Sequence, residues 1–145
     1  MQRADAGGYT ERKCGTWRLG TIMSAVTVEF LEAFAQAWNR HDTDAIIGMM
    51  TPDCVLRFSA GPTKEGSRFD GREAVRAAIE NLFERMPDAR WEGARHFISG
   101  DRGVTEWTMV ATPRDGRPIN ADGCDVFGFR DGRIAFKDSY RKFPA

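Results

Sequence analysis

Apolar side chains repeat at helical intervals through the first half of the chain and at strand intervals through the second. Over residues 25–39, Phe30, Phe34, Ala37 and Trp38 recur at spacings of four and three, which predicts an amphipathic helix. Asp42 and Thr43 are placed to cap a short second helix carrying Ala45, Ile46, Met49 and Met50, and Thr51-Pro52-Asp53 stops it. Residues 54–58 read as a strand, and 59–67, with two glycines and a proline, as a loop or hairpin connection. Asp70-Gly71-Arg72-Glu73 resembles a capping box at the start of a third helix. Its stripe of Val75, Ala78, Ile79, Leu82, Phe83 and Met86 opposes Arg76, Glu80, Glu84 and Arg85, and Pro87 ends it.

Four strand-like runs follow, at 89–99, 104–112, 119–129 and 134–141, separated by Gly100-Asp101, Asp115-Gly116 and Asp131-Gly132. Three helices and then antiparallel strands predict an α+β fold, with the helices of the N-terminal half on one face of a strongly bent antiparallel sheet.

The Asp131-Gly132 pair favours a two-residue type I′ turn. Strict alternation from that turn sets Phe129 opposite Ile134, Phe127 opposite Phe136, Asp125 opposite Asp138 and Gly123 opposite Tyr140. Two carboxylates are then expected side by side on an aromatic, inward face. Like charges that close in poor solvent cannot both ionise easily, so one would serve as acid and the other as base. Two alternatives stand beside this reading. The aspartates could instead bond backbone amides or Arg57, Arg95 or Arg141, or a register slip of one residue could turn one of them outward. Further along, Trp107 is favoured over Glu106 for the interior, because Trp107 and Met109 suit an apolar wall. His41 falls in an interhelical turn, where a solvated or capping role is expected. His96 shares parity with Ala94 and Ile98, and is either a general base or a hydrogen-bonded structural residue. No spacing of His, Cys and carboxylates supports a metal site, and no glycine-rich phosphate loop or nucleophile elbow is present.

Several segments together resemble the SnoaL-like group of the nuclear transport factor 2-like (cystatin-like) superfamily. They are Phe34-Ala35-Gln36-Ala37-Trp38-Asn39-Arg40-His41-Asp42, Pro52-Asp53-Cys54-Val55, Asp70-Gly71-Arg72-Glu73-Ala74-Val75 and Phe127-Gly128-Phe129-Arg130-Asp131-Gly132-Arg133-Ile134. The resemblance spans about residues 25–143 and implies a conical cavity wrapped by a bent sheet, often in dimers formed through that sheet. Members of the superfamily include ketosteroid isomerases, polyketide cyclases, epoxide hydrolases, dehydratases and non-catalytic binding modules, so fold alone does not choose the function. Phe58 stands where the ketosteroid isomerase base would be, which argues against that reaction as the family performs it. Asp125 matches the late-strand acidic position of the polyketide cyclases.

The 145 residues suit one domain, with 24–145 as the SnoaL-like unit and 1–23 as an aperiodic, loosely packed extension. Met23 directly precedes the first helix and is a candidate translation start. Lys plus Arg equals Asp plus Glu at 21 each, which argues against a polyanionic partner such as nucleic acid. Cys14, Cys54 and Cys124 are too widely spaced for a metal finger and, without a signal peptide, suggest a reducing, cytoplasmic setting. No apolar run is long enough to span a membrane. The expectation is a cofactor-free, metal-free protein, a homodimer through its sheet, that takes a small hydrophobic or aromatic molecule. Asp125 and Asp138 are the candidate catalytic pair, and Trp38, Phe58, His96, Trp107, Phe127, Phe136 and Tyr140 the candidate wall.

Overall fold

The computed structural model describes residues 25–144, so the expected extension at 1–23 and its Cys14 lie outside the described residues. Helix α1 (Val28–Asn39) is capped by Thr27, whose hydroxyl accepts from the Phe30 amide, and α2 (Thr43–Gly48) by Asp42, which accepts from Ala45. Strands β1 (Met50–Phe58) and β2 (Ser67–Asp70) form a hairpin ahead of α3 (Arg72–Arg85). Then come β3 (Arg90–Ser99), β4 (Arg102–Ala111), β5 (Ile119–Arg130) and β6 (Arg133–Arg141). The expected capping box is absent. Gly71 is the N-cap and has no side chain to bond with, and the Asp70 carboxylate before it is taken by Arg68. Short β2 begins at Ser67, the last residue of the segment read as a connection, and was not expected.

The six strands form one open sheet in the order β2-β1-β6-β5-β4-β3. All neighbours are antiparallel except β1 and β6, which run parallel. The sheet is therefore mixed where an antiparallel one was expected. The α+β cone with three helices on one face is as expected. Asp131 and Gly132 both take positive φ, 55° and 70°, and Arg130 faces Arg133, as a type I′ turn requires.

The closed end of the cone is apolar. Leu31, Phe34 and Trp38 of α1, Ile46 of α2, Val75 and Ile79 of α3 and Met50 and Leu56 of β1 meet Phe127 and Ile134 there. Phe34 and Phe127 pack edge to face at 5.9 Å. His41 belongs to this scaffold rather than to solvent: its ring stacks on Phe83 at 4.1 Å and bonds the Ala89 carbonyl at 2.9 Å. A second tie joins α1 to the sheet, where buried His96 bonds Glu32 through Nε2 at 2.9 Å and Thr105 through Nδ1 at 2.8 Å.

His96 and Gln36 bond the Glu32 carboxylate and hold its pKa below the ordinary 4.5. A carboxyl depressed by folding contributes its full stability above that value and loses it as the pH falls below it. Glu32→Gln is expected to lower the urea midpoint at pH 7 by an amount equivalent to about 0.2–1 kcal/mol, since half the side chain is in water. The loss should shrink progressively as the pH is lowered below the ordinary carboxylate range, as the depressed native carboxyl is itself protonated.

Candidate functional site

The chemistry of the inner face is decided by one residue in β6. Phe129 pairs with Ile134, but the next residue of β5, Gly128, pairs with Phe136, so Ala135 is an extra residue and β6 bulges. From there the strand presents the opposite face from strict alternation. Asp125 faces Ser139, Phe127 faces Lys137, and Asp138 lies opposite Val126. The expected juxtaposition of Asp125 with Asp138 is therefore not present, and the slip considered as an alternative is what occurs.

Three cross-strand rows build the inner face. Toward the closed end, Leu56, Lys137, Phe127 and Gly103 stand in register. Next comes a polar row of His96, Thr105, Asp125 and Ser139. Toward the mouth stand Trp107, Gly123 and Arg141. A Cβ on Gly123 would lie 2.4 Å from the Trp107 ring, so glycine is what lets this indole lie across β5.

Asp125 is the hub. Lys137 Nζ donates to its Oδ1 at 2.8 Å, Ser139 Oγ donates to the same oxygen at 2.6 Å, and Trp107 Nε1 donates to Oδ2 at 3.0 Å. Lys137 also donates to Ser139 Oγ at 2.8 Å and stands 4.7 Å over the Trp38 ring. Lysine and aspartate side chains are 6% and 10% exposed, so this is a buried ion pair. The strict alternation expected from the turn would put Lys137 and Ser139 on the opposite, outer face. The signals for the bulge were Gly128 in β5 and Pro52 in β1, the two strands that flank β6.

The cavity opens beside this cluster and holds about 620 Å³. Phe58, Phe69, Trp107, Met109 and Ile119 line it from the sheet side, and Ala74, Ala77, Ala78 and Leu82 from α3. Small side chains on α3 leave this volume unfilled. Its polar edge consists of Lys137, Ser139 and Arg141 on β6, with Asp125 behind them. Of the expected wall, Phe58 and Trp107 line the cavity, as preferred over Glu106. Trp38 and Phe127 are core residues reached only by a small void near Asp125. His96 faces inward but is occupied by Glu32 and Thr105.

Three expected site residues are on the outer face, because the bulge reverses their direction. Asp138 pairs with Arg57 at 3.4 Å and accepts from Tyr140. Tyr140 is 57% exposed. Phe136 packs over Gly128 between the guanidiniums of Arg57 and Arg102, 5.9 and 5.2 Å from its centroid. Among the described residues no cluster of three His, Cys, Asp or Glu side chains could hold a metal ion.

The sequence model of a family described as a SnoaL-like domain matches residues 31–136. Solved structures share the fold. A Xanthomonas campestris protein provisionally named a polyketide cyclase is 21% identical with a TM-score of 0.65, covering 76% of this chain and 85% of that one. A Bacillus subtilis protein provisionally named an isomerase is 19% identical with a TM-score of 0.66, covering 79% and 84%. A nuclear transport factor 2-like protein of unknown function from Mesorhizobium loti is 25% identical with a TM-score of 0.66, covering 79% and 89%. No curated protein matches the chain.

Removing one member of a buried ion pair strands the other. Lys137→Met is expected to destabilise by about 3–5 kcal/mol in urea unfolding. Adding Asp125→Asn should recover part of that loss, so that the double variant is more stable than the sum of the singles predicts. Strict additivity would mean that the two side chains are not coupled.

Proposed function

The chain belongs to the SnoaL-like family, and from that premise we propose that it takes a small, largely apolar carbonyl compound into the cone and moves a proton on it without a cofactor. The chemistry is of the isomerase, cyclase or dehydratase type. The observation that carries this reading is the hydrogen-bonded chain from the cavity wall into the sheet. The Ser139 hydroxyl lines the cavity and donates to Asp125 at 2.6 Å. A proton leaving a carbon next to a carbonyl passes to Ser139 oxygen as the Ser139 proton passes to Asp125, and the reverse transfer returns it elsewhere on the same molecule. Lys137 places a positive charge beside the wall where negative charge grows on the substrate oxygen. Phe58 leaves the family's isomerase position without a base, so Asp125 is the catalytic carboxylate. Asp138 has no part in the reaction.

A second reading is a non-catalytic binding module using the same cone. It is favoured by the complete pairing of Asp125 with Lys137, Ser139 and Trp107. In either case the protein is a cytoplasmic homodimer. Cys54 and Cys124 are free thiols, which fits a reducing compartment. The outer sheet face, with Phe97 55% exposed, supplies the dimer contact. Among the described residues no helix is long and apolar enough to cross a membrane.

Exchange of the α-protons of 2-tetralone in heavy water, followed by NMR, separates the two readings. The wild type is expected to accelerate exchange, Asp125→Asn to lose about 10²–10⁴ of that acceleration while still binding the ketone, and Asp138→Asn to retain it. A ketone that binds yet exchanges no faster than in buffer leaves the binding module. For the dimer, Phe97→Asp is expected to halve the mass seen by light scattering.

A further inference from the structure

The chain as a whole is neutral, but its cavity is not. Three cationic side chains, Arg85, Lys137 and Arg141, line the cone, and among the described residues no carboxylate does. Two of the three have acidic partners: Lys137 has Asp125, and Arg85 lies 3.9 Å from Asp115. Arg141 has none. Its Nη1 reaches the Met109 sulfur at 3.4 Å, its guanidinium carbon stands 4.6 Å over the Phe143 ring, and its buried Nε has no hydrogen-bond partner.

A half-buried guanidinium with no anionic partner is costly, because its Nε is sealed from water without an acceptor and Nη1 meets only a thioether. Burial depresses the Arg141 pKa accordingly. Its position excludes a packing role in the closed core. Arg141 stands on the inner face beside Trp107, separated from it only by Gly123, in the row nearest the mouth. The planar fork of arginine matches a carboxylate in two parallel bonds.

We propose that the ligand of the cone is a small organic acid, with an apolar body along Phe58, Trp107 and Met109 and a carboxylate held by Arg141. The proposal rests on the cone being the ligand site and adds the ligand's class. It also orients the molecule. Ser139 and Arg141 are two residues apart on one face of β6, about 7 Å along the strand. An acid anchored at Arg141 therefore presents a carbon of its body, not the carboxylate itself, to the Ser139–Asp125 chain.

The test compares 2-naphthoate with its neutral isostere 2-naphthamide by calorimetry on the wild type and on Arg141→Gln. Naphthoate is expected to bind the wild type at least about tenfold more tightly than the amide, the worth of a charge-assisted contact. Arg141→Gln should remove that preference, bringing acid and amide to equal affinity, Arg141→Lys should keep part of it, and Arg85→Gln all of it. Equal affinity of acid and amide for the wild type would falsify the carboxylate assignment and leave the cone as a binding site. Failure of both to bind would remove the cone reading with it. Without ligand, Arg141→Met is expected to melt at or above the wild-type temperature, since it relieves an unpaired charge. Melting several degrees lower would make the guanidinium structural and overturn the proposal.

Discussion

The extra residue in β6 is the constraint on which the inner face depends. Without Ala135 as a bulge, Phe136 and Asp138 would face the helices, and Lys137 and Ser139 would face outward. Two carboxylates would then share an apolar interior. Like charges about 4 Å apart repel by about 4 kcal/mol at an effective dielectric near 20, and opposite charges attract by as much. The bulge replaces the first situation with the second, since Asp125 meets Lys137 at 2.8 Å. That change of sign outweighs a local break in one ladder. The neighbouring strand accommodates it at the same level: β1 loses register between Met50 and Val55, where Pro52 has no amide to offer a ladder. On the outer face Gly128 makes room for Phe136, whose ring would lie 2.9 Å from any Cβ there. Proline, glycine and ion pair act on the same few residues of the sheet.

The cavity follows from the same economy of side chains. Bulky residues fill the closed end, where Phe34, Trp38, Phe83 and Phe127 interlock. Beyond the polar row the facing positions of α3 become small at Ala74, Ala77 and Ala78, and the sheet offers Trp107 lying flat across Gly123. Volume is left where small faces flat. Asp125 sits on the boundary, with packed hydrocarbon behind it and the open cone in front. This is why one hydroxyl, Ser139, can connect a buried carboxylate to the cavity.

Much of this was legible in the sequence. Helical stripes, strand order and the Asp131-Gly132 turn follow from local chemistry that tertiary contacts do not override, and the structure has them. The parallel β1–β6 pair was not legible, because pairing between distant strands leaves no local signature. The site was half legible. Asp125 lies past the level of the bulge, but on β5, which keeps its own alternation because the extra residue is in β6, so it faces inward as expected. Lys137, Asp138 and Tyr140 lie beyond the bulge on β6, and each was assigned to the wrong face. A strand carries its register only as far as its first irregularity.

Overall charge balance likewise says little about the cavity. Equal numbers of acids and bases suggest a neutral ligand only if charge is spread evenly, and the fold sorts it. Asp138 goes to the outer face with Arg57, Asp53 joins Arg130, and Asp125 is spent behind the wall on Lys137. Arg141 is left at the mouth with a sulfur and a ring. An averaged charge of zero is thus compatible with a cavity of one sign. What a pocket attracts depends on which side chains the register turns inward, and here that was decided by a single alanine.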